Sequence, residues 1–73
     1  MFEGTVKWFN VEKGFGLIAR DQASDVFVHF TAIPASRKTP DGRRYLRREE
    51  SVKFTIGKGR NGRDEARDVR LLT

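Results

Sequence analysis

The sequence has no cysteine, so disulfides and thiolate metal sites are excluded. Its single histidine leaves a structural zinc site almost without ligands. No metal and no cofactor is therefore expected. No apolar run is long enough to cross a membrane. The opening Met1-Phe2-Glu3-Gly4-Thr5 lacks a basic stretch followed by apolar residues, so no leader is expected either. The expected location is the cytoplasm, with no membrane partner. No segment carries a helical period of useful length, and there is no repeat and no linker.

What remains is short, basic and aromatic. Seventy-three residues make one domain, residues 1–73, of modest burial and marginal stability. A net charge of +5 and a pI near 10.2 point to a polyanionic partner. The charge is uneven. Residues 1–36 hold three basic and four acidic side chains, and residues 37–73 hold twelve and six. Six of the eight aromatics lie in residues 1–30. An aromatic half and a cationic half suit one groove if the fold brings them together.

Two runs organise the chain: Lys13-Gly14-Phe15-Gly16-Leu17-Ile18 and Val26-Phe27-Val28-His29-Phe30. Read as paired strands, they put Phe15, Leu17, Phe27 and His29 on one face, and Ile18, Val26 and Val28 on the other. Only one face can be core. We expect the β-branched face inside and the aromatic face toward a ligand, because flat rings beside lysines suit unpaired bases and phosphates. The opposite reading rests on parity: Phe15, Leu17 and Ala19 form one apolar set. Pattern alone leaves both open. Gly14 and Gly16 favour the first, since glycine clears space where something approaches closely.

Around these runs, residues 2–11 read as a first strand, with adjacent Trp8-Phe9 on opposite faces unless a bulge intervenes. Glu12-Lys13-Gly14 is a turn, and Asp21 to Asp25 is a polar hairpin loop. Thr31-Ala32-Ile33-Pro34 suits a single helical turn. Ala35 to Arg44 forms a long loop with Pro40-Asp41-Gly42 as its turn signal. Val52, Phe54 and Ile56 alternate inward. Gly57 to Arg63 is a glycine-rich basic loop, and Glu65 to Leu72 is the last strand, with Val69 and Leu71 inward. Five short strands in so small a chain are best closed as an all-β, five-stranded antiparallel barrel.

Gly4-Thr5-Val6-Lys7-Trp8-Phe9-Asn10, Lys13-Gly14-Phe15-Gly16-Leu17-Ile18 and Asp25-Val26-Phe27-Val28-His29-Phe30-Thr31-Ala32-Ile33 together resemble the bacterial cold-shock proteins and cold-shock domains. The resemblance covers nearly the whole chain except residues 35–45, more loosely after Leu46. It implies a barrel of the oligonucleotide-binding (OB) type. It implies single-stranded RNA and DNA as ligands, pyrimidine-rich strands preferred, and a monomer acting as an RNA chaperone. An antiterminator or gene regulator using the same surface is the alternative. It makes Trp8, Phe15, Phe27, His29 and Phe30 base-stacking residues, with Phe9 at the margin. Lys7, Asn10, Lys13 and Asp25 would give hydrogen bonds or charge contacts.

The chain departs from that pattern in several places. Leu17 stands where a phenylalanine is usual. Arg43 stands where a loop phenylalanine is common, with Tyr45 as a substitute ring. Glu49-Glu50 replaces Gly-Gln, Asp64-Glu65 replaces Pro-Gln, and the loop before the last strand is one residue longer. Fewer rings and more arginine imply that Arg43, Arg44, Arg60 and Arg63 act through charge and guanidinium stacking. Two rival classes fit poorly. His29 has no nucleophile or second histidine to work with, so an enzyme is not expected. An SH3-like barrel gripping proline-rich peptides would carry acidic binding loops, whereas the excess charge here is basic.

Overall fold

The computed structural model describes residues 1–59 and 61–72. Five strands are present: β1 (Phe2–Asn10), β2 (Phe15–Arg20), β3 (Ala23–His29), β4 (Ser51–Lys58) and β5 (Asp64–Leu71). A 3₁₀ turn, Phe30–Ala32, follows β3 where the single helical turn was expected. No helix among the described residues is long and apolar enough to cross a membrane. The strands close into a barrel in the order β1-β2-β3-β5-β4. Four seams are antiparallel, as expected. The fifth, β3 beside β5, is parallel and pairs Phe27 with Glu65 and Val28 with Ala66. The barrel is thus mixed, because β3 reaches β5 through the long excursion of residues 30–50 and the whole of β4, not through a hairpin.

Alternation along the strands fills the interior. Val6, Ile18, Val26, Val28, Val52, Phe54, Ala66 and Val69 are buried, and Phe54 is the largest of them. Burying each of the larger side chains stabilises the fold by roughly 1.5–3 kcal/mol. Ile56 and Leu71, expected inward, are half-buried and pack against this core from its edge.

Two turns differ from expectation. β1 ends at Asn10, whose carbonyl accepts the Gly14 N–H at 2.7 Å and whose Oδ1 accepts the Lys13 N–H at 3.0 Å. The loop expected over 21–25 is only Asp21-Gln22, with Gln22 at φ +57° and β3 beginning at Ala23. Ser24 and Asp25 are exposed strand residues: the Ser24 carbonyl accepts Arg20 Nε at 2.9 Å, and Asp25 pairs with Lys7. Their polarity reported exposure, not a loop.

The excursion before β4 is pinned at both ends. Ile33 and Leu46 are buried. Arg37 and Glu50 form an ion pair with both side chains under one-fifth exposed. Burial works against the charge on Glu50, but the Arg37 guanidinium and the Arg47 amide outweigh it, and the carboxyl titrates below its usual range. Arg44 donates to the Ile33 carbonyl at 3.2 Å. Between these ties Glu49 adopts φ +70°, a region that L side chains enter at a cost. Its N–H still donates to the Val6 carbonyl at 2.7 Å. Glycine meets that backbone without the Cβ penalty but loses more freedom on folding. Glu49→Gly is therefore expected to raise stability by about 0.5–1 kcal/mol in a denaturant melt. A lower midpoint would show that the Glu49 side chain contributes more than its backbone costs.

Candidate nucleic-acid interface

The face question is decided by register and burial. Ile18, Val26 and Val28 are buried, while Phe15, Leu17, Phe27 and His29 are half-buried on the outer surface. In the ladders Trp8 sits opposite Leu17 and Leu17 opposite Phe27; in the next row outward Asn10 faces Phe15 and Phe15 faces His29. Trp8 joins this face because β1 bulges between Val6 and Trp8, leaving Lys7 as the extra residue. Phe9, its neighbour, turns the other way and packs against the core.

The rings form one continuous strip. Trp8 meets Phe15 edge-on with centroids 5.9 Å apart. Phe15 stacks on Phe27 at 5.5 Å, Phe27 lies 5.8 Å from His29, and His29 lies 5.7 Å from Phe30. Trp8 is 39% exposed and Phe30 is 42% exposed, so the strip opens outward at both ends. Leu17 sits within it, between Trp8 and Phe27, as an aliphatic gap.

Polar groups border the strip. Lys7 and Asp25 pair with each other at 3.0 Å. Lys13 is exposed on the β1–β2 turn. Arg43 bonds Asp41 at 3.4 Å and reaches the Glu12 carbonyl at 3.4 Å, which places it beside the same turn. Arg44 is committed to the Ile33 carbonyl and is not brought to the strip. Arg60 lies outside the described residues. Tyr45 does not supply a free ring, because the guanidinium groups of Arg37 and Arg47 lie over it at 4.6 and 5.8 Å.

Sequence reasoning missed the opposite bank. A groove runs between the strip and the segment joining β4 to β5, with Arg20, Lys58, Asn61, Asp64 and Glu65 in its wall alongside Arg63. The glycine-rich basic loop signalled part of it. Glu65 could not be placed there, because nothing in the sequence put β5 beside β3.

The glycines also read differently in three dimensions. A Cβ on Gly14 would lie 2.7 Å from the Phe30 ring, and one on Gly16 would lie 2.9 Å from Phe9 Cα. The close approach is by the chain itself.

A small closed barrel of five strands, with a strip of outward rings beside a charged groove, defines a module of the OB type. The chain belongs to the family described as "'Cold-shock' DNA-binding domain", whose model matches residues 2–72. It is 46% identical to cold shock protein CspA of Staphylococcus haemolyticus over 71 residues, covering 97% of this chain and 100% of that one. It is 47% identical to cold shock protein CspC of Bacillus subtilis over 66 residues, covering 90% and 92%. A cold shock-like protein CspC of Bacillus cereus is 46% identical over 69 residues, covering 94% and 98%. The protein is accordingly a nucleic-acid-binding domain for single-stranded DNA and RNA, not an enzyme.

Proposed function

We propose that the protein holds RNA single-stranded by stacking successive bases on the strip Trp8, Phe15, Phe27, His29 and Phe30, and so acts as an RNA chaperone. The observation that carries this reading is the continuity of the strip, with neighbouring centroids 5.5–5.9 Å apart and its end rings, Trp8 and Phe30, exposed. Bases in a duplex hide their faces from such a surface, whereas unpaired bases present them. Lys13, Arg43, Lys58 and Arg63 would meet phosphates, and Lys7 and Asp25 would contact base edges after parting from each other. The preferred strands would be pyrimidine-rich, the working unit a monomer, and the place of action the cytoplasm, where RNA is exposed.

The test is a titration followed by Trp8 fluorescence, with single-stranded oligothymidine and a duplex at two salt concentrations. The single strand should bind far more tightly. Each phosphate neutralised on a single strand contributes roughly −0.7 to the slope of log K against log salt, so two to four contacts give about −1.5 to −3. Equal affinity for duplex and single strand would overturn the stacking reading, and a slope near zero would remove the cations from it.

Leu17→Phe should fill the gap in the strip. Stacking on a ring is worth roughly 1–3 kcal/mol per base, of which leucine already supplies part, so a gain on the order of 0.5–1 kcal/mol in binding is expected. The position faces outward, so a thermal melt should hardly move. A melt lowered by about 1–3 kcal/mol with no tighter binding would mean that the new ring overpacks the site.

A further inference from the structure

The row that carries Trp8, Leu17 and Phe27 does not stop at β3. Across the parallel seam the residue beside Phe27 is Glu65, and beyond it in β4 comes Gly57. Val28 and Ala66, the next pair along the seam, both point into the core, so Phe27 and Glu65 both point out. Both line the groove. Glu65 is half-buried and makes no ion pair or side-chain hydrogen bond among the described residues. The other carboxylates of the groove are engaged: Asp64 with Lys58 at 2.9 Å, and Asp25 with Lys7 at 3.0 Å. Glycine stands on two sides of Glu65. Gly57 faces it from β4, and a Cβ on Gly59 would lie 2.9 Å from Glu65 Oε1. The Glu65 side chain thus lines the groove with Phe27, its Oε1 against Gly59, while the Arg67 guanidinium lies across Gly57 on the β4 side and forms no ion pair with Glu65 among the described residues.

We propose that Glu65 reads the edge of the base stacked on Phe27 and selects one that offers an amino group, hence cytosine over thymine or uracil. This rests on the single-strand reading above and names a preference within it. An ionised carboxylate only accepts hydrogen bonds. Cytosine presents the N4 amino donor where thymine presents the O4 acceptor. Opposite Glu65, cytosine gains a charge-assisted hydrogen bond from N4, while thymine or uracil sets the O4 carbonyl oxygen against the carboxylate at that position and has only the adjacent N3–H to offer. Adenine and guanine also carry amino groups; in a pyrimidine-rich strand the discrimination falls on cytosine.

The test uses short oligothymidines in which one cytosine is walked through the strand, titrated against the parent protein, Glu65→Gln and Asp64→Asn. For the parent, cytosine at one position should tighten binding on the order of tenfold, the lower end of what a hydrogen bond to a charged group implies. In Glu65→Gln that position effect should vanish, because a glutamine amide can both accept from N4 and donate to O4. Asp64→Asn removes the same charge one residue away. It should tighten all strands alike and keep the position effect, which separates hydrogen bonding from net charge. No position effect in the parent, or one that survives in Glu65→Gln, overturns the role of Glu65 while leaving single-strand binding intact. Failure of the parent to bind any of these strands overturns both readings together.

Discussion

Gly16→Ala is expected to lower the stability of the barrel by about 2–3 kcal/mol, the cost of forcing atoms into a filled space. Gly16 is buried and pairs with Phe9 across the β1–β2 ladder. A methyl group there would lie 2.8 Å from Phe9 Cδ1 and 2.9 Å from Phe9 Cα, and against the Trp8 carbonyl oxygen. Two of those neighbours are backbone atoms, which cannot swing aside as a side-chain tip can. Relief requires β1 and β2 to separate, and those strands carry Trp8 and Phe15. Gly42→Ala is the control. Nothing lies within 4 Å of its added carbon, although its φ is +86°, so only a backbone term of about 1–2 kcal/mol applies. A Gly16→Ala variant that unfolds within about 0.5 kcal/mol of the parent in urea would show that the two strands move apart freely. A core of this size supplies little more than about 3–5 kcal/mol, so the expected loss is a large share of the whole.

Phe27→Ala should weaken single-strand binding by about 1–3 kcal/mol and leave the fold largely intact. Its ring is half-buried, in contact with Phe15 and His29 on the outer face. Removing it costs part of that aromatic contact, about 0.5–1.5 kcal/mol at most. Val28→Ala, one peptide bond away, should do the reverse. Val28 is fully buried, and its loss leaves a cavity costing about 1–3 kcal/mol of stability with little change in affinity once folded. Neighbouring residues with opposite effects on melting and titration are what alternation demands. If Phe27→Ala melted lower than Val28→Ala, the inner and outer faces would be exchanged.

Most of the barrel was legible because its signals are local. The alternation of β2 and β3 located the strands, and Val52-Lys53-Phe54 located the core of β4. The choice of face was not legible from pattern, since Phe15, Leu17 and Ala19 are as apolar together as Ile18, Val26 and Val28. It depended on the resemblance, and burial then agreed with it. The errors have one origin: a residue's type was read for its chemistry before its neighbours were known. Ser24 and Asp25 look like loop residues until β2 is beside them. Gly16 looks like a place for a ligand until Trp8 and Phe9 are beside it. Tyr45 looks like a spare platform until Arg37 and Arg47 lie over its ring. The parallel seam joins residues some forty positions apart through no hairpin, and with it Glu65 stayed out of view.

The strip has a thermodynamic side as well. Its rings are apolar surface that the folded chain leaves partly uncovered, and the unfolded chain has no such assembled surface to offer. A ligand that binds only the assembled form adds RT ln(1 + [L]/Kd) to the free energy of unfolding, about 2.7 kcal/mol when the ligand stands at a hundred times Kd. That is comparable with the whole stability a domain of this size draws from its core, about 3–5 kcal/mol. On the proposed reading the population of intact molecules is tied to the supply of unpaired strand, and the strip is also a reserve of stability that a bound strand completes.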